Sequence, residues 1–558
     1  MAEWWEKTSM YHIYPRSFLD TNGDGVGDLR GVLARLGYLQ ELGVETLWLS
    51  PFYTSPQRDH GYDIADYRSI DPLFGTMDDA LDLIRETHRR GMKIIFDMVM
   101  NHTSDQHPWF LSSRSSEASP YRDYYIWKKG RGQGMGDGKA KRPPNNWVSM
   151  LGKPAWKYDG TTDAWYYFSY LYFQPDLNYD NPEVRKVMLD TVRFWLDKGV
   201  DGFRLDIFNC IGKDDSFADN PPSLRYAPTP DNNDRAFFQN KKHSINHPKS
   251  FAFARELRTV LDEYPGRFLL GEISGSDGTI TAFLDAGLHT ANLFQTIQYR
   301  FTSTFFASVI ERMERHYQSP RVPTIMYSTH DAGRGMDRIG GDRRKARVLA
   351  FFQMTSRGIP ILYYGDEIGM RNADIPMREA QDPLALQNSG VPKKLAALLG
   401  IFLNRDDCRT PMQWSDTPYA GFSVNRSWLQ PVGNYQEVNV ERQEKDPLSL
   451  LALYRALFAL RKKHEALSLG NTAILDSPTG LLVYLRNCGN ERFMVVLNFS
   501  AKARVYTLDS SYGIVFASDS ECGLIAGQSG STAQAGELRL PPHSACILAP
   551  TEFGKDLS

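Results

Sequence analysis

The sequence predicts an α/β protein: a (β/α)8 TIM barrel with an inserted subdomain after strand 3 and a C-terminal antiparallel β-sandwich. Three observations predict it. Short apolar runs alternate with helical patterns from the N-terminus onward, the alternation breaks off once near residue 103, and from about 470 only strand patterns remain.

The elements follow in order. Tyr11–Phe18 reads as the first strand, and Leu29–Leu42 carries Leu29, Val32, Leu33, Leu36 and Leu39 at helical spacing. Thr46–Phe52 is the second strand and Met77–Arg90 the next helix. Lys93–Met100 is almost continuously apolar, as strands buried on both faces of a parallel sheet are. Residues 103–174 are rich in Gly, Pro, Asn, Trp and Tyr with no long helical pattern, which predicts an excursion out of the barrel. The alternation resumes with helix Pro182–Lys198, strand Gly202–Ile207, helix Ser250–Glu263 and strand Arg267–Ile273. Strand Thr290–Gln295, helix Thr302–Tyr317, strand Pro323–Ser328, helix Arg343–Arg357, strand Ile359–Tyr364 and helix Leu448–Lys463 complete it. Eight such units favour a closed barrel over a doubly wound sheet. Leu481–Arg486, Phe493–Asn498, Ala503–Leu508, Leu538–Leu540 and Ala545–Ala549, separated by Gly- and Ser-rich turns, predict the sandwich. The expected domains are therefore 1–102 with 175–470 (barrel), 103–174 (inserted) and 471–558 (sandwich).

Composition narrows the function classes. A chain of 558 residues exceeds one hydrophobic core, and 42% hydrophobic with 23% charged residues is ordinary for a globular protein. A formal net charge of −2 without long like-charge blocks argues against nucleic acid or an anionic membrane as partner. The five cysteines are widely spaced and form no CxxC pair, and no run of 18 apolar residues occurs. The expectation is a cytoplasmic protein, monomer or homodimer, acting on a small molecule.

In such a barrel, polar residues at the carboxyl ends of strands face the site. Here those ends read Asp97–His102, Gly202–Asp206, Gly271-Glu272 and His330-Asp331. Strand alternation puts Arg204 and Asp206 on the same side, where a guanidinium favours the ionised carboxylate that a nucleophile requires. Four strand ends each supplying an acid, with two histidines and an arginine, exceed what scaffolding demands.

These segments resemble those of glycoside hydrolase family 13, the α-amylase superfamily, and within it the oligo-1,6-glucosidase and α-glucosidase group. Gln174-Pro175-Asp176-Leu177-Asn178 matches a fifth segment of that group, and the likeness extends from Tyr11 into the sandwich. The resemblance implies a retaining, exo-acting α-glucosidase that hydrolyses short oligosaccharides or disaccharides through a glucosyl-enzyme intermediate. Asp206 would be the nucleophile, Glu272 the acid/base and Asp331 the third acid. His102, His330, Arg204, Asp59, Tyr62 and Arg409 would bind the terminal glucose, with Arg409, from the Arg409-Thr410-Pro411-Met412-Gln413-Trp414 string, pairing with Asp59 or the sugar. Tyr170 aligns with an aromatic lining the pocket. The same intermediate would serve a transglucosylase or a sucrose isomerase.

Asp20-Thr21-Asn22-Gly23-Asp24-Gly25-Val26-Gly27-Asp28 spaces oxygen ligands two apart, as calcium loops do, but the twelfth position is Gly31, which excludes an EF-hand. The resemblance implies a structural Ca²⁺, with Mg²⁺ as the alternative, held by Asp20, Asn22, Asp24 and Asp28 and by the Val26 carbonyl. Two departures matter. Thr329 stands where the family usually has Asn. Ile207, directly after Asp206, stands where Val accompanies α-1,6 preference and Thr α-1,4, so the branched apolar side chain points to α-1,6. Gln298–Phe306 lacks the Arg-rich loop of sucrose isomerases, which favours hydrolysis or transfer. The long 371–408 segment is expected to overhang the aglycone side.

Overall fold

The computed structural model describes residues 2–131, 142–229, 231–393, 396, 402–508, 512–525 and 536–551. The fold is a (β/α)8 barrel followed by antiparallel sheets. Its parallel strands are Met10–Ile13, Thr46–Leu49, Lys93–Met98, Gly202–Leu205, Phe268–Gly271, Thr290–Ala291, Thr324–Ile325 and Ile359–Tyr363. The chain divides into two compact units, one of Trp48–His88 with Lys93–Asn292, the other of Met1–Leu47 with Arg89–Met92 and Leu293–Ser558.

In the first of these units the third to sixth strands pair in sequence. Asp97 stands beside Arg204, Leu270 beside Arg204 on the other side, and Gly271 beside Ala291. Every residue of the fourth and fifth strands is buried, as strands covered on both faces must be. Gly202 is required by the close approach of these two strands, since a Cβ there would lie 2.1 Å from the Phe268 carbonyl oxygen. Helices Pro182–Asp197 and Pro248–Leu261 cover them, each begun by an Asn181 or His247 cap and a proline at the first helical position. Residues 103–174 add helix Pro108–Ser115 and a three-stranded sheet from Trp127–Lys128, Trp156–Asp159 and Ala164–Tyr167, packed on Ile126, Trp147, Ala155, Trp156 and Tyr167.

In the other unit the first strand pairs with the eighth and the seventh with the eighth, all parallel. The C-terminal region folds as a five-stranded and a three-stranded antiparallel sheet. Alternate residues Leu481, Val483, Leu485 and Met494, Val496 meet Leu538, Leu540, Cys546 and Leu548 in one core.

Several elements differ from the sequence expectation. The helix expected over Leu29–Leu42 breaks at Arg35 (φ −104°, ψ 8°) into Leu29–Ala34 and Leu36–Leu42. The first strand stops at Ile13 because Pro15 opens a 3₁₀ turn. Helix Asp277–Asp285 was hidden by Gly278 and the β-branched Thr279, Ile280 and Thr281, and forms behind the Ser276 cap. Strand Asn471–Leu475 gives no alternating pattern because both its faces are largely exposed.

Candidate active site

The first unit gathers three carboxylates on one guanidinium. Arg204 is buried at the end of the fourth strand. Its Nη1 donates to Asp97 Oδ1 (2.9 Å) and Oδ2 (3.0 Å) and to Asp206 Oδ1 (2.8 Å), and its Nη2 donates to Glu272 Oε2 (2.5 Å). Burial alone would lower the Arg204 pKa, but Asp97, Glu272, Tyr62 and Asp206 outweigh it and hold the cation well above its ordinary value. Asp97 is wholly buried and also accepts from Trp48 Nε1 (3.3 Å) and Tyr62 Oη (2.9 Å). It is a structural counter-ion, whereas Asp206 and Glu272 keep partly exposed carboxylates.

The backbone contributes as well. Ile207 adopts a left-handed conformation (φ 32°, ψ 43°), rare for a β-branched residue, and its N–H donates to Glu272 Oε2 at 3.2 Å. The turn after the fourth strand therefore aims an amide at the carboxylate that follows the next strand. Ile207 packs with Cys210 and Ile245, and half-buried Met150 and Tyr170 lie against this cluster.

Around these groups, the Gln174–Asn178 segment pairs with the exit of the third strand: Leu177 N donates to Asn101 O and Thr103 N to Pro175 O. That pairing brings Gln174 Nε2 within 2.9 Å of buried Asp59 Oδ2. Asp59 sits in a turn whose amides bond Asp63, and Gly61 (φ 105°) completes it where a Cβ would meet Pro51 O at 2.9 Å. Tyr62 carries the turn's hydroxyl to Asp97, and His102 Nε2 lies 3.2 Å from Tyr62 O. Burial lowers the His102 pKa, more than nearby Asp176 and Asp59 raise it, so the ring is neutral.

The other unit holds the opposite arrangement. Asp331 Oδ1 accepts from Arg409 Nη2 (2.9 Å) and Arg405 Nη1 (3.1 Å), and Oδ2 lies 2.9 Å from His330 Nε2. His330, Arg405 and Arg409 together hold its pKa well below the usual carboxylate range. Arg409 also donates to His330 O (2.7 Å), and Tyr14 stacks on His330. Arg405 is fixed in turn by buried Asp382. Thr329 uses its hydroxyl to accept from the Asp331 amide at 3.2 Å.

Sequence reasoning left Arg405, Asp382, Trp48 and the Ile207 backbone unassigned. Arg405 pairs with residues 74 and 23 positions away, a separation for which no local pattern exists. Ile207 carries none of the glycine that usually marks a positive φ. The 371–408 segment is described only in part, since 394–395 and 397–401 lie outside the described residues.

The 20–28 loop is closed by its own amides. Asp20 accepts from the Asn22, Gly23 and Gly25 amides and from Ser423 Oγ, Asn22 accepts from the Asp24 amide, and Asp24 accepts from the Val26 amide. Asp28 caps helix Leu29–Ala34 through Gly31 N and holds Thr21. The donors are the hard oxygens calcium takes. Among the described residues, however, no three His, Cys, Asp or Glu side chains are grouped to hold a metal.

The barrel carries acids at its strand ends and buried His102 at the exit of the third strand. The family model of the alpha amylase catalytic domain matches residues 12–470, and the chain belongs to that family. It is 36% identical to the oligo-1,6-glucosidase of Parageobacillus thermoglucosidasius, over 90% of this chain and 92% of the relative. It is 37% identical to a probable alpha-glucosidase of Rhizobium meliloti, with 90% of each covered. Among solved structures, the alpha-glucosyl transfer enzyme XgtA superposes with a TM-score of 0.87 at 35% identity, covering 99% of this chain and all of that one. The trehalulose synthase MutB of Pseudomonas mesoacidophila superposes with a TM-score of 0.85 at 32% identity, covering 98% of this chain and all of that one. The chain is a glycoside hydrolase of the glucosidase type. No helix among the described residues is long and apolar enough to cross a membrane.

Proposed function

We propose that the protein is a retaining, exo-acting α-glucosidase that cleaves short α-glucosides with a preference for α-1,6 linkages. The observation that carries this reading is the sharing of Arg204 by Asp206 and Glu272. Retaining glycosidases need their two carboxyls about 5 Å apart. Two acids hydrogen-bonded to adjacent nitrogens of one planar guanidinium are compatible with that spacing.

In this mechanism Asp206 attacks the anomeric carbon while Glu272 gives its proton to the leaving oxygen. Glu272 then takes a proton from water as the glucosyl ester is hydrolysed. Asp331, kept anionic by two arginines and a histidine, accepts hydrogen bonds from sugar hydroxyls. His102 and His330 bind other hydroxyls, Tyr62 stacks on the glucose face, and Tyr170 lines the pocket. Asp59, held rigid by Gln174, binds an outer hydroxyl, and Arg409 fixes Asp331. The α-1,6 preference rests on Ile207.

A second reading uses the same ester with a sugar in place of water as acceptor. It is favoured by the likeness to an alpha-glucosyl transfer enzyme and to a trehalulose synthase. Incubation with isomaltose, maltose, sucrose and trehalose separates the two. Glucose released fastest from isomaltose supports the first reading, and new disaccharides from sucrose replace it with the second.

We propose further that the 20–28 loop binds a structural Ca²⁺, with Mg²⁺ as the alternative, in a monomeric or homodimeric cytoplasmic enzyme. A thermal midpoint that rises with millimolar Ca²⁺ and falls with chelator is expected, and an unchanged midpoint contradicts the loop's role.

A further inference from the structure

The C-terminal region contains two cysteines that the fold brings together. Strand Tyr512–Ala517 runs antiparallel to strand Ala545–Pro550 in the five-stranded sheet, with Ala517 opposite Cys546. Ser518 continues the pairing: its amide donates to Ala545 O (2.9 Å) and its Oγ accepts from the Ala545 amide (2.8 Å). The chain then reverses through a tight turn, closed by Cys522 N donating to Asp519 O at 3.1 Å. That turn carries Cys522 back against the core that Cys546 shares with Val496, Leu538 and Leu548. The strand that follows, Gly523–Ile525, belongs to the three-stranded sheet. The pair therefore stands at the seam between the two sheets.

The two thiols have unlike environments, as a reactive pair requires. Cys522 is half-buried and open to a small oxidant, whereas Cys546 is wholly buried. The thiols are in hydrogen-bonding contact with one another. Cys546, and Ser544 beside it, hold the Cys522 pKa below the ordinary thiol value, although burial and Asp519 oppose them. The same contact, with burial, pushes the Cys546 thiol far up. Cys522 is thus the nucleophile of the pair and Cys546 its proton donor.

We propose that Cys522 and Cys546 form a reversible disulfide when the protein meets a peroxide, tying together the two sheets of the C-terminal region. The Cys522 thiolate attacks one oxygen of hydrogen peroxide and the O–O bond breaks. Cys522 becomes a sulfenic acid, and the other oxygen leaves as hydroxide, which takes up the proton that Cys522 lost. The Cys546 sulfur then attacks the Cys522 sulfur. The S–S bond forms, the S–O bond breaks, and the departing hydroxide takes the Cys546 proton. Two thiols and one hydrogen peroxide give one disulfide and two waters, and a dithiol reductant reverses the step by exchange. The bond reinforces a contact with the barrel. Phe351 of helix Arg343–Thr355 stacks on Phe516 (5.6 Å), and Arg347 Nη1 donates to Ser518 O (2.6 Å). Both partners lie on the segment leading into Cys522, which the closed loop anchors while lowering the entropy of the unfolded chain.

The test oxidises the full chain with hydrogen peroxide, blocks the remaining thiols by alkylation and maps the peptides by mass spectrometry. The expected product is the Cys522 peptide joined to the Cys546 peptide, lighter than the two together by two hydrogens and separated by dithiothreitol. The oxidised protein should unfold a few degrees above the reduced one. Cys522→Ser should remove that shift, and Cys488→Ser, at the other half-buried cysteine, should keep it. Cys522 recovered alkylated or over-oxidised without the link, or joined to Cys488, would overturn the proposal, as would an equal shift in Cys522→Ser.

Discussion

The acids of the two units are balanced in opposite ways. In one, three carboxylates share a single guanidinium, Arg204. In the other, one carboxylate, Asp331, is met by two guanidiniums and an imidazole. The first arrangement is short of positive charge, so its carboxylates compete for one partner. That suits a pair of which one member must exchange a proton during turnover. The second has positive charge in excess and fixes its acid as an anion, although the Asp331 side chain is 37% exposed and open to a ligand. Under the proposed mechanism the same side-chain chemistry would serve proton transfer in one place and steady hydrogen-bond acceptance in the other.

This contrast can be broken by removing cations one at a time. Arg204→Met takes from three buried or half-buried carboxylates the cation they share. It is expected to cost about 3–5 kcal/mol of stability and to abolish turnover. Arg409→Met leaves Asp331 with Arg405 and His330, so a smaller stability loss and a residual activity are expected. Chemical denaturation of both variants checks the order, and equal losses would dissolve the distinction.

A fifth carboxylate shows what burial does where no cation among the described residues compensates it. Glu367 is fully buried and accepts from Tyr11 Oη (2.8 Å) and Tyr38 Oη (2.7 Å). Burial, outweighing these two bonds, pushes its pKa from 4.5 to about 7. Because the folded value lies above the unfolded one, the unfolded chain loses this proton first. The native state therefore loses stability as pH rises from about 4.5 to 7 and no further above that, by about 3 kcal/mol in all. Glu367→Gln should reduce the slope of that part of the stability–pH curve by its own share. The share of Asp63, Asp366 and Asp407, whose pKa values burial also raises, to about 7, 6 and 6, should remain. Asp331→Asn should leave the slope in place. A slope left unchanged by Glu367→Gln would contradict its contribution.

The smallest expected effect concerns linkage. Ile207→Val shortens the side chain beside Asp206 and should change the ratio of isomaltose to maltose kcat/KM by only a few fold, as one methylene does in an apolar contact. An inverted ratio of a hundredfold or more would mean that Ile207 determines linkage outright.

Much of the fold and part of the site were legible because both follow short-range periodicities. The barrel strands announced themselves as buried runs, and alternation put Arg204 and Asp206 on one side. The bonds that distinguish the two clusters were not legible. Gln174 reaches Asp59 across 115 positions and Arg405 reaches Asp331 across 74, so tertiary folding alone brings them together. The calcium-like loop shows the reverse limit. Its spacing is plain in the sequence, yet the same oxygens are the acceptors that an Asx-rich turn uses for its own amides.

The account stands on Asp206 being the residue that becomes glucosylated. Reacting the enzyme with a slow fluorinated α-glucosyl fluoride and analysing its peptides by mass spectrometry tests this directly. The predicted result is one fluoroglucosyl group on the peptide at Asp206, absent from Asp206→Asn. A label on Asp97 or Glu272, or an Asp206→Asn variant that still turns over disaccharide, would contradict it.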